Sequence, residues 1–326
     1  LLYTGNDSSD RDITGVGFQP DWLWIKNREG PDWNQIIDAV RGANKTLFSN
    51  TTDGEDTDNT NGHVNSFLAD GFNVTAGDSG NVNENNENYV AWNWNAGGST
   101  VTNNDGSISS SVRANTTAGF SIIAFEGTGS LGTVGHGLGV KPDVMIFKNR
   151  DQAHGWLVYH SSLGATKNLS LNTNAAVATA SNKFNDTEPT STVFTVNTAA
   201  DSNQSGQSII AYCFSEVKNY SKFGSYTGNG NADGTFVYTG FRPAWIMTKN
   251  ADTGSTWWFI YDVKRETYNP QRTILGANVN NAEYYDNAYK IDILSNGFKA
   301  RGTQPEINKS GDTIIYLAFA ESPFKY

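Results

Sequence analysis

Two aspartates stand three residues ahead of an arginine, Asp38 before Arg41 and Asp262 before Arg265. A carboxylate beside a guanidinium can orient a nucleophile or hold an anion. The matching stretch in the middle of the chain carries His160 and Leu163 instead. A catalytic pair kept twice and lost once is poor design, so the spacing reads as a structural ion pair near a strand end, worth little if exposed. Lys26, Lys148 and Lys249 each precede an asparagine, Asn27, Asn149 and Asn250. A catalytic lysine needs a pKa depressed by burial or by a cationic neighbour, and nothing in the sequence supplies either. The histidines His63, His136, His154 and His160 form neither H-x-H nor H-E-x-x-H, so no zinc site is expected. The single cysteine, Cys213 in "SIIAYCFSE", rules out an intrachain disulfide and reads as a small buried hydrophobe.

The remaining candidates are weaker. Glycoside hydrolysis needs two carboxylates about 5–9.5 Å apart. Glu126, Asp143 and Glu216 are available in the middle of the chain, but no spacing selects a pair. His136 lies in "GHGLG", which follows no dinucleotide-binding pattern, and G-x-S-x-G is absent. "NGNADG" places oxygens at Asn229, Asn231 and Asp233 like the first half of a calcium loop, but Gly240 stands where the closing glutamate belongs. It reads as a glycine-rich turn, and the acidic run "DGEDTDNTNG" at 53–62 as a solvated loop. No cofactor, metal or catalytic residue is expected, and the chain reads as a non-enzyme. Trp257, which faces away from its neighbour Trp258, and Tyr284 and Tyr285 in a loop without counterpart are the ligand-binding candidates, since such rings stack on sugar faces.

These residues sit in a triplicated pattern. "GFQPDWLWIKN" at Gly17, "GVKPDVMIFKN" at Gly139 and "GFRPAWIMTKN" at Gly240 share a proline, an apolar run and a closing Lys-Asn. Five more markers recur in the same order. "YTGN" at Tyr3 matches "FEGT" at Phe125 and "YTGN" at Tyr226. "WNQIIDAVR" at Trp33 is aligned with "WLVYHSSL" at Trp156 and "WFIYDVKR" at Trp258. "LFSN", "LSLN" and "LGAN" follow, then "DGFNV", "TVFTV" and "NGFKA", and last "YVAWNW", "IIAYCF" and "IIYLAF". The spacing predicts repeats over 1–98, 120–219 and 220–326, with a linker or hairpin at 99–119. Short β-branched runs bounded by Gly, Asn and Pro predict six or seven strands per repeat, hence an all-β chain of three tandem sandwiches. "WNQIIDAVRGA" is the one helix-like stretch, and its counterparts read as strands. Proline suits the first residue of a strand. Alternation then puts Trp22, Trp24 and Lys26 on one face and Leu23 and Ile25 on the other, with Val144, Ile146 and Lys148 against Met145 and Phe147, and Trp245, Met247 and Lys249 against Ile246 and Thr248. Both faces are apolar, as in a central strand covered on both sides. The lysines are expected to run their stems along the sheet and release their ammonium groups at its rim. The asparagines suit a turn, because Asn tolerates positive φ.

Composition agrees. The chain has 326 residues, 33 glycines, 12% aromatic and only 17% charged residues, with net charge −10. That balance speaks against nucleic-acid binding, and no run approaches the roughly 18 apolar residues of a membrane helix. The sequence opens at Leu1 rather than Met, as a piece of something longer would.

The combination "GFSIIAFEGTGSLGTVGHGLGVKPDVMIFKNR", "WLVYHSSLGATKNL", "GSYTGNGNADGTFVYTGFRPAWIM", "LSNGFKAR" and "IYLAFAESPFK" resembles a repeat family of uncharacterised function found in tail-fibre-like and other virion-associated proteins of marine bacteriophages. The resemblance spans the whole chain and implies concanavalin-A-like or jelly-roll sandwiches in a virion structural protein. It implies a tail or capsid fibre adhesin on the particle surface, contacting other virion proteins and host-surface glycans, and a homo-oligomer, commonly a trimer. It brings no catalytic residues. A purely structural spacer or decoration module and a glycan depolymerase are the alternatives. If "GVKPDVMIFKN" is scaffold, Ile146→Ala costs about 2–5 kcal/mol and Lys148→Ala little, measured by chemical denaturation.

Overall fold

A computed structural model describes residues 1–321; Ser322, Pro323 and Phe324, which close the "AFAESPF" motif, lie outside the described residues. The described chain is almost entirely β, with three single-turn α-helices at Ser181–Phe184, Ala200–Asn203 and Pro305–Asn308. Each of three stretches contributes one larger and one smaller antiparallel sheet.

The first large sheet runs in the order Leu2–Thr4, Asn88–Trp94, Trp22–Asn27, Gln35–Asp38, Gly42–Phe48. The third runs Ser221–Thr227, Thr313–Ala320, Pro243–Asn250, Phe259–Asp262, Thr273–Gly276, Tyr284–Tyr285. The second has the same middle, with Val144–Asn149 between Ser208–Phe214 and Leu157–His160, and is lengthened at one edge. The extra strands, Val101–Asn103 and Ser110–Asn115, form a hairpin from the 99–119 junction that pairs onto Phe120–Glu126. "WNQIIDAVRGA" holds the strand Gln35–Asp38 and no helix. The proline-led strands are interior in every sheet, and all six residues of Trp22–Asn27 and of Val144–Asn149 are buried.

Alternation sorts their side chains into different cores. Leu23 and Ile25 pack with Phe72 and Val74 of the first small sheet. Met145 and Phe147 pack with Val134 and Phe194, and Ile246 with Val237 and Phe298. The opposite faces meet one another. Trp22, Trp24, Val144, Ile146, Trp245 and Met247 belong to one continuous central core with Trp156, Tyr212 and Trp258. Burying it stabilises the chain by roughly 1.5–3 kcal/mol per large side chain.

Register corrects one alignment. Trp24 pairs Ile36, Ile146 pairs Val158 and Met247 pairs Ile260, so Asn34, not Trp33, is the counterpart of Trp156 and Trp258. These three residues close a ring. Asn34 Nδ2 donates to the Gly276 carbonyl at 3.1 Å, Trp156 Nε1 to Phe48 at 2.9 Å and Trp258 Nε1 to Ser170 at 3.1 Å. Each stretch therefore bonds the same position of the next, the first to the third, the second to the first and the third to the second. The large sheets surround a pseudo-threefold axis.

The Asp/Arg pairs lie at the junctions around that axis. The sequence reads them as structural ion pairs near a strand end, of little worth if exposed; they are not exposed, the side chains of Asp38 and Arg41 being wholly buried at 2.5 Å and those of Asp262 and Arg265 nearly so. Asp38 Oδ2 accepts from Tyr212 Oη of the second stretch at 2.8 Å, and Asp262 Oδ2 from Trp92 Nε1 of the first at 3.1 Å. Glu55 binds Arg41 and reaches Arg150 of the second stretch at 2.8 Å; Glu283 binds Arg265 and reaches Arg28 of the first at 2.6 Å. The third junction replaces the whole set. Its counterparts are His160, Leu163, Val177 and Ala251, with Leu317 in place of the indole or phenol. Only the backbone bond persists: Val177 N–H donates to Ala251 at 2.7 Å as Glu55 does to Arg150 and Glu283 to Arg28. His160, neutral because burial lowers its pKa to about 4, turns Nε2 to the Tyr316 carbonyl. Asp262→Ala is expected to cost about 3–5 kcal/mol by stranding a buried guanidinium, and Asp262→Ala with Arg265→Leu distinctly less, read from denaturation midpoints.

Candidate functional site

The Lys-Asn pairs carry three perturbed amines. The lysines do not reach water at the rim. Lys26, Lys148 and Lys249 are each 0% exposed. Every Nζ donates to the carbonyl of the following asparagine, at 2.6, 2.9 and 2.7 Å. Each also takes a second acceptor, Gly30 O, Thr52 O and Thr256 Oγ1 respectively. The strand ends there, and the ammonium stands in for the missing ladder donor. Lys148→Ala would therefore leave two carbonyls and a cavity behind, contrary to the cheap loss expected. Burial lowers all three pKa values to about 8, against the pull of Asp32 and Glu283 on Lys26, of Asp53 and Asp201 on Lys148 and of Glu306 on Lys249.

The asparagines also work differently from expectation. None has positive φ. Each Oδ1 accepts the N–H groups two and three residues on, at 2.9–3.1 Å, an Asx-type turn. Each Nδ2 ties that turn to a second segment, at the Gly80 carbonyl in a loop and at the Ala200 and Pro305 carbonyls that open two of the single-turn helices. The glycine of the "YTG", "FEG" and "YTG" markers has a similar tight role. A Cβ on Gly5, Gly127 or Gly228 would fall 1.9–2.3 Å from a backbone oxygen. The lysines and asparagines are thus framework.

The other candidates separate. Asp143 Oδ2 accepts from the Glu216 N–H, whereas Glu126 ends the strand that starts beside them, at the far side of the sheet. Glu216 pairs with Lys222. Cys213 is buried, and burial pushes its thiol pKa up. Asn229 and Asn231 spend their Oδ1 atoms on the N–H groups of Asn231 and Asp233. Asp233, paired with Lys299 at 2.6 Å, has its pKa lowered by that lysine. No group of three His, Cys, Asp or Glu able to hold a metal occurs among the described residues. Nor is any described helix long and apolar enough to cross a membrane. Glu55 and Asp56 of the acidic run are not free loop: one makes the junction described above, the other bridges to Thr46.

Of the aromatic candidates, Trp257 and Tyr284 come together, edge to face at 6.3 Å, and pack with Phe259 and Tyr289. They plug the end of the third sandwich-like pair of sheets. Tyr285 points elsewhere, 57% exposed under the Arg272 guanidinium, 4.6 Å from its ring centroid.

Trp33 is the counterpart of Trp257 and was missed as a ligand candidate, because the alignment slipped by one residue. In the first stretch the same end is unplugged: Gln35 replaces Phe259 and Asp56 replaces Tyr284. Trp33, 39% exposed, rests edge-on against Phe48 at 4.8 Å. Its ring walls a cleft of about 200 Å³ with Asp32, Asn61, Ser79 and Asn81. Asn280 of the third stretch clamps the rim by donating to Pro31 O at 2.9 Å. Both amide atoms of buried Gln35 lack a protein partner among the described residues.

The three lysines give a pH signature. Below pH 8 each is charged in both folded and unfolded chains; between about pH 8 and 10 the folded chain releases the proton first. The unfolded chain then binds more protons, so stability rises with pH, by on the order of 3 kcal/mol per lysine at most. The sign reverses as pH approaches 10, because burial holds many tyrosines, Tyr212, Tyr226 and Tyr261 among them, protonated while the unfolded tyrosines begin to ionise. Guanidinium denaturation between about pH 7.5 and 9 checks the rise, and Lys→Met at all three positions should flatten it.

A family model described as a domain of unknown function, DUF7483, matches residues 1–323. No curated protein and no solved structure matches the chain.

Proposed function

For this chain, which belongs to the DUF7483 family, we propose a non-catalytic role as a glycan-contacting module of a bacteriophage virion, a tail or capsid fibre adhesin built of three tandem sandwiches. The observation that carries the reading is the cleft at Trp33. A half-exposed indole above Asp32, Asn61, Ser79 and Asn81 offers the apolar face of one pyranose a stacking surface and its hydroxyls both donors and acceptors. The cleft holds about one sugar ring, and its walls come from loops pinned by Asn27 and Asn280. Tyr285 with Arg272 gives a second exposed platform. The resemblance to virion-associated repeats supports the particle surface as the location. One site per chain is weak, and several copies on a particle supply avidity.

A depolymerase is the reading to test against. Asp32 lies beside the cleft, and desolvation with the nearby Glu87, Asp32 and Asp7 carboxylates raises the Glu84 pKa. Titration of the chain with host-type oligosaccharides is expected to show binding without cleavage. Trp33→Ala should weaken binding at least tenfold while leaving the thermal midpoint within about 2 °C, since the ring is partly exposed. Binding untouched by Trp33→Ala would reject the cleft. Cleavage lost in Asp32→Asn or Glu84→Gln would reject the non-catalytic role.

A further inference from the structure

Three equivalent seams join the stretches. At each, a loop of one stretch lies along a loop of the next: the Glu283 N–H bonds the Arg28 carbonyl, the Glu55 N–H the Arg150 carbonyl and the Val177 N–H the Ala251 carbonyl. Strand register fixes what stands at the two ends of each seam. The position of Trp33 is held by Gly155 in the second stretch and Trp257 in the third. The position of Tyr285 is held by Thr57 in the first stretch and Thr179 in the second. Arg272 is matched by Asn44 and Thr166. Trp257 packs into the plug of its own sandwich. Among the described residues, the seam between the third and first stretches is therefore the one with an exposed ring at both ends.

That seam is continuous. Asn280 bonds Pro31 and Glu283 bonds Arg28, so 280–285 and 28–33 run antiparallel. Trp33 and Tyr285 lie beyond its opposite ends, joined by a backbone path of at most roughly 30 Å. Three guanidiniums gather near the Tyr285 end. Arg28 and Arg265 spend their donors on Glu283. Arg272 differs: Glu266 Oε1 engages its Nε at 3.3 Å, and its two Nη groups make no hydrogen bond among the described residues. Glu266 Oε2 is taken by the backbone N–H groups of Arg272 and Thr273.

We propose that this seam is one elongated binding track for an acidic oligosaccharide, with a neutral ring in the Trp33 cleft and a uronic-acid ring at Tyr285 and Arg272. The inference rests on the glycan reading of the cleft and adds the charge, length and direction of the ligand. The free Nη pair of Arg272 is the fork that grips a carboxylate, and the Tyr285 face beneath it holds the guanidinium in place. The acid belongs at this end because Asp32 and Glu84 stand at the other, where like charge repels it. One sugar cannot touch both rings; a short chain can.

The test is calorimetric titration with uronic-acid-containing oligosaccharides of two to six units, each beside its carboxyl-reduced form. The longer acidic chains are expected to bind about tenfold more tightly than their reduced forms, one per protein chain. Arg272→Gln should bring the acidic ligands down to the reduced ones. Arg272→Lys, which keeps the charge beside Glu266 but loses the fork, should restore only part of the difference. Trp33→Ala should weaken both ligand forms. Trp33-dependent binding without preference for the acid overturns the track and leaves the cleft reading standing. Two ligands per chain, or an acid preference untouched by Arg272→Gln, also overturns it. Silence of the folded chain toward every oligosaccharide rejects cleft and track together.

Discussion

Each large sheet has two apolar faces, and its small sheet can cover only one. That constraint governs the rest of the structure. An exposed face carrying Trp22, Trp24 and Trp94, or Trp245 and Phe319, would be an aggregation surface. The three faces instead cover one another around a shared core. Polar bonds across that core are made by repetition, one donor per stretch at the position of Asn34, Trp156 and Trp258, each reaching a carbonyl of the neighbour, whereas the indole N–H groups of Trp22 and Trp245 have no partner among the described residues.

The junctions show that the geometry is kept while the chemistry is free to change as a set. Two use aspartate, arginine and glutamate, with an indole or phenol donating to the aspartate. The remaining one uses histidine, leucine and valine against an alanine. A half-changed junction would leave a buried charge without its partner, which is costlier than either complete solution. The same logic explains the buried lysines. Each is expensive as a charge, but it closes the carbonyl left at the end of an interior strand, and all three stretches keep it.

Much of the scaffold was legible. The proline entry, the two apolar faces and the burial of Cys213 follow from period-two alternation and strand chemistry, which depend only on near neighbours. What failed had a common cause. Alternation tells which face a side chain takes but not what covers that face, so the Lys148 ammonium was placed at the rim and the exposure of the Asp38–Arg41 pair was left open, although other stretches of the chain lie over both. The asparagines were assigned by backbone tolerance, whereas their side chains do the work. Trp33 was aligned by identity with Trp156 and Trp258; only strand register shows that Asn34 holds their place, and that Trp33 therefore marks an unplugged end.

The bond from Asn34 to Gly276 spans 242 residues of sequence, and this bears on how the protein is made. The first stretch leaves the ribosome with its tryptophan-rich face ready and its partner most of the chain away. Ring closure must wait until the third stretch has been synthesised. Contacts of such separation are slow to form and leave the nascent chain sticky meanwhile. Yield in a foreign host is then set less by final stability than by how long that first face can be kept from meeting another.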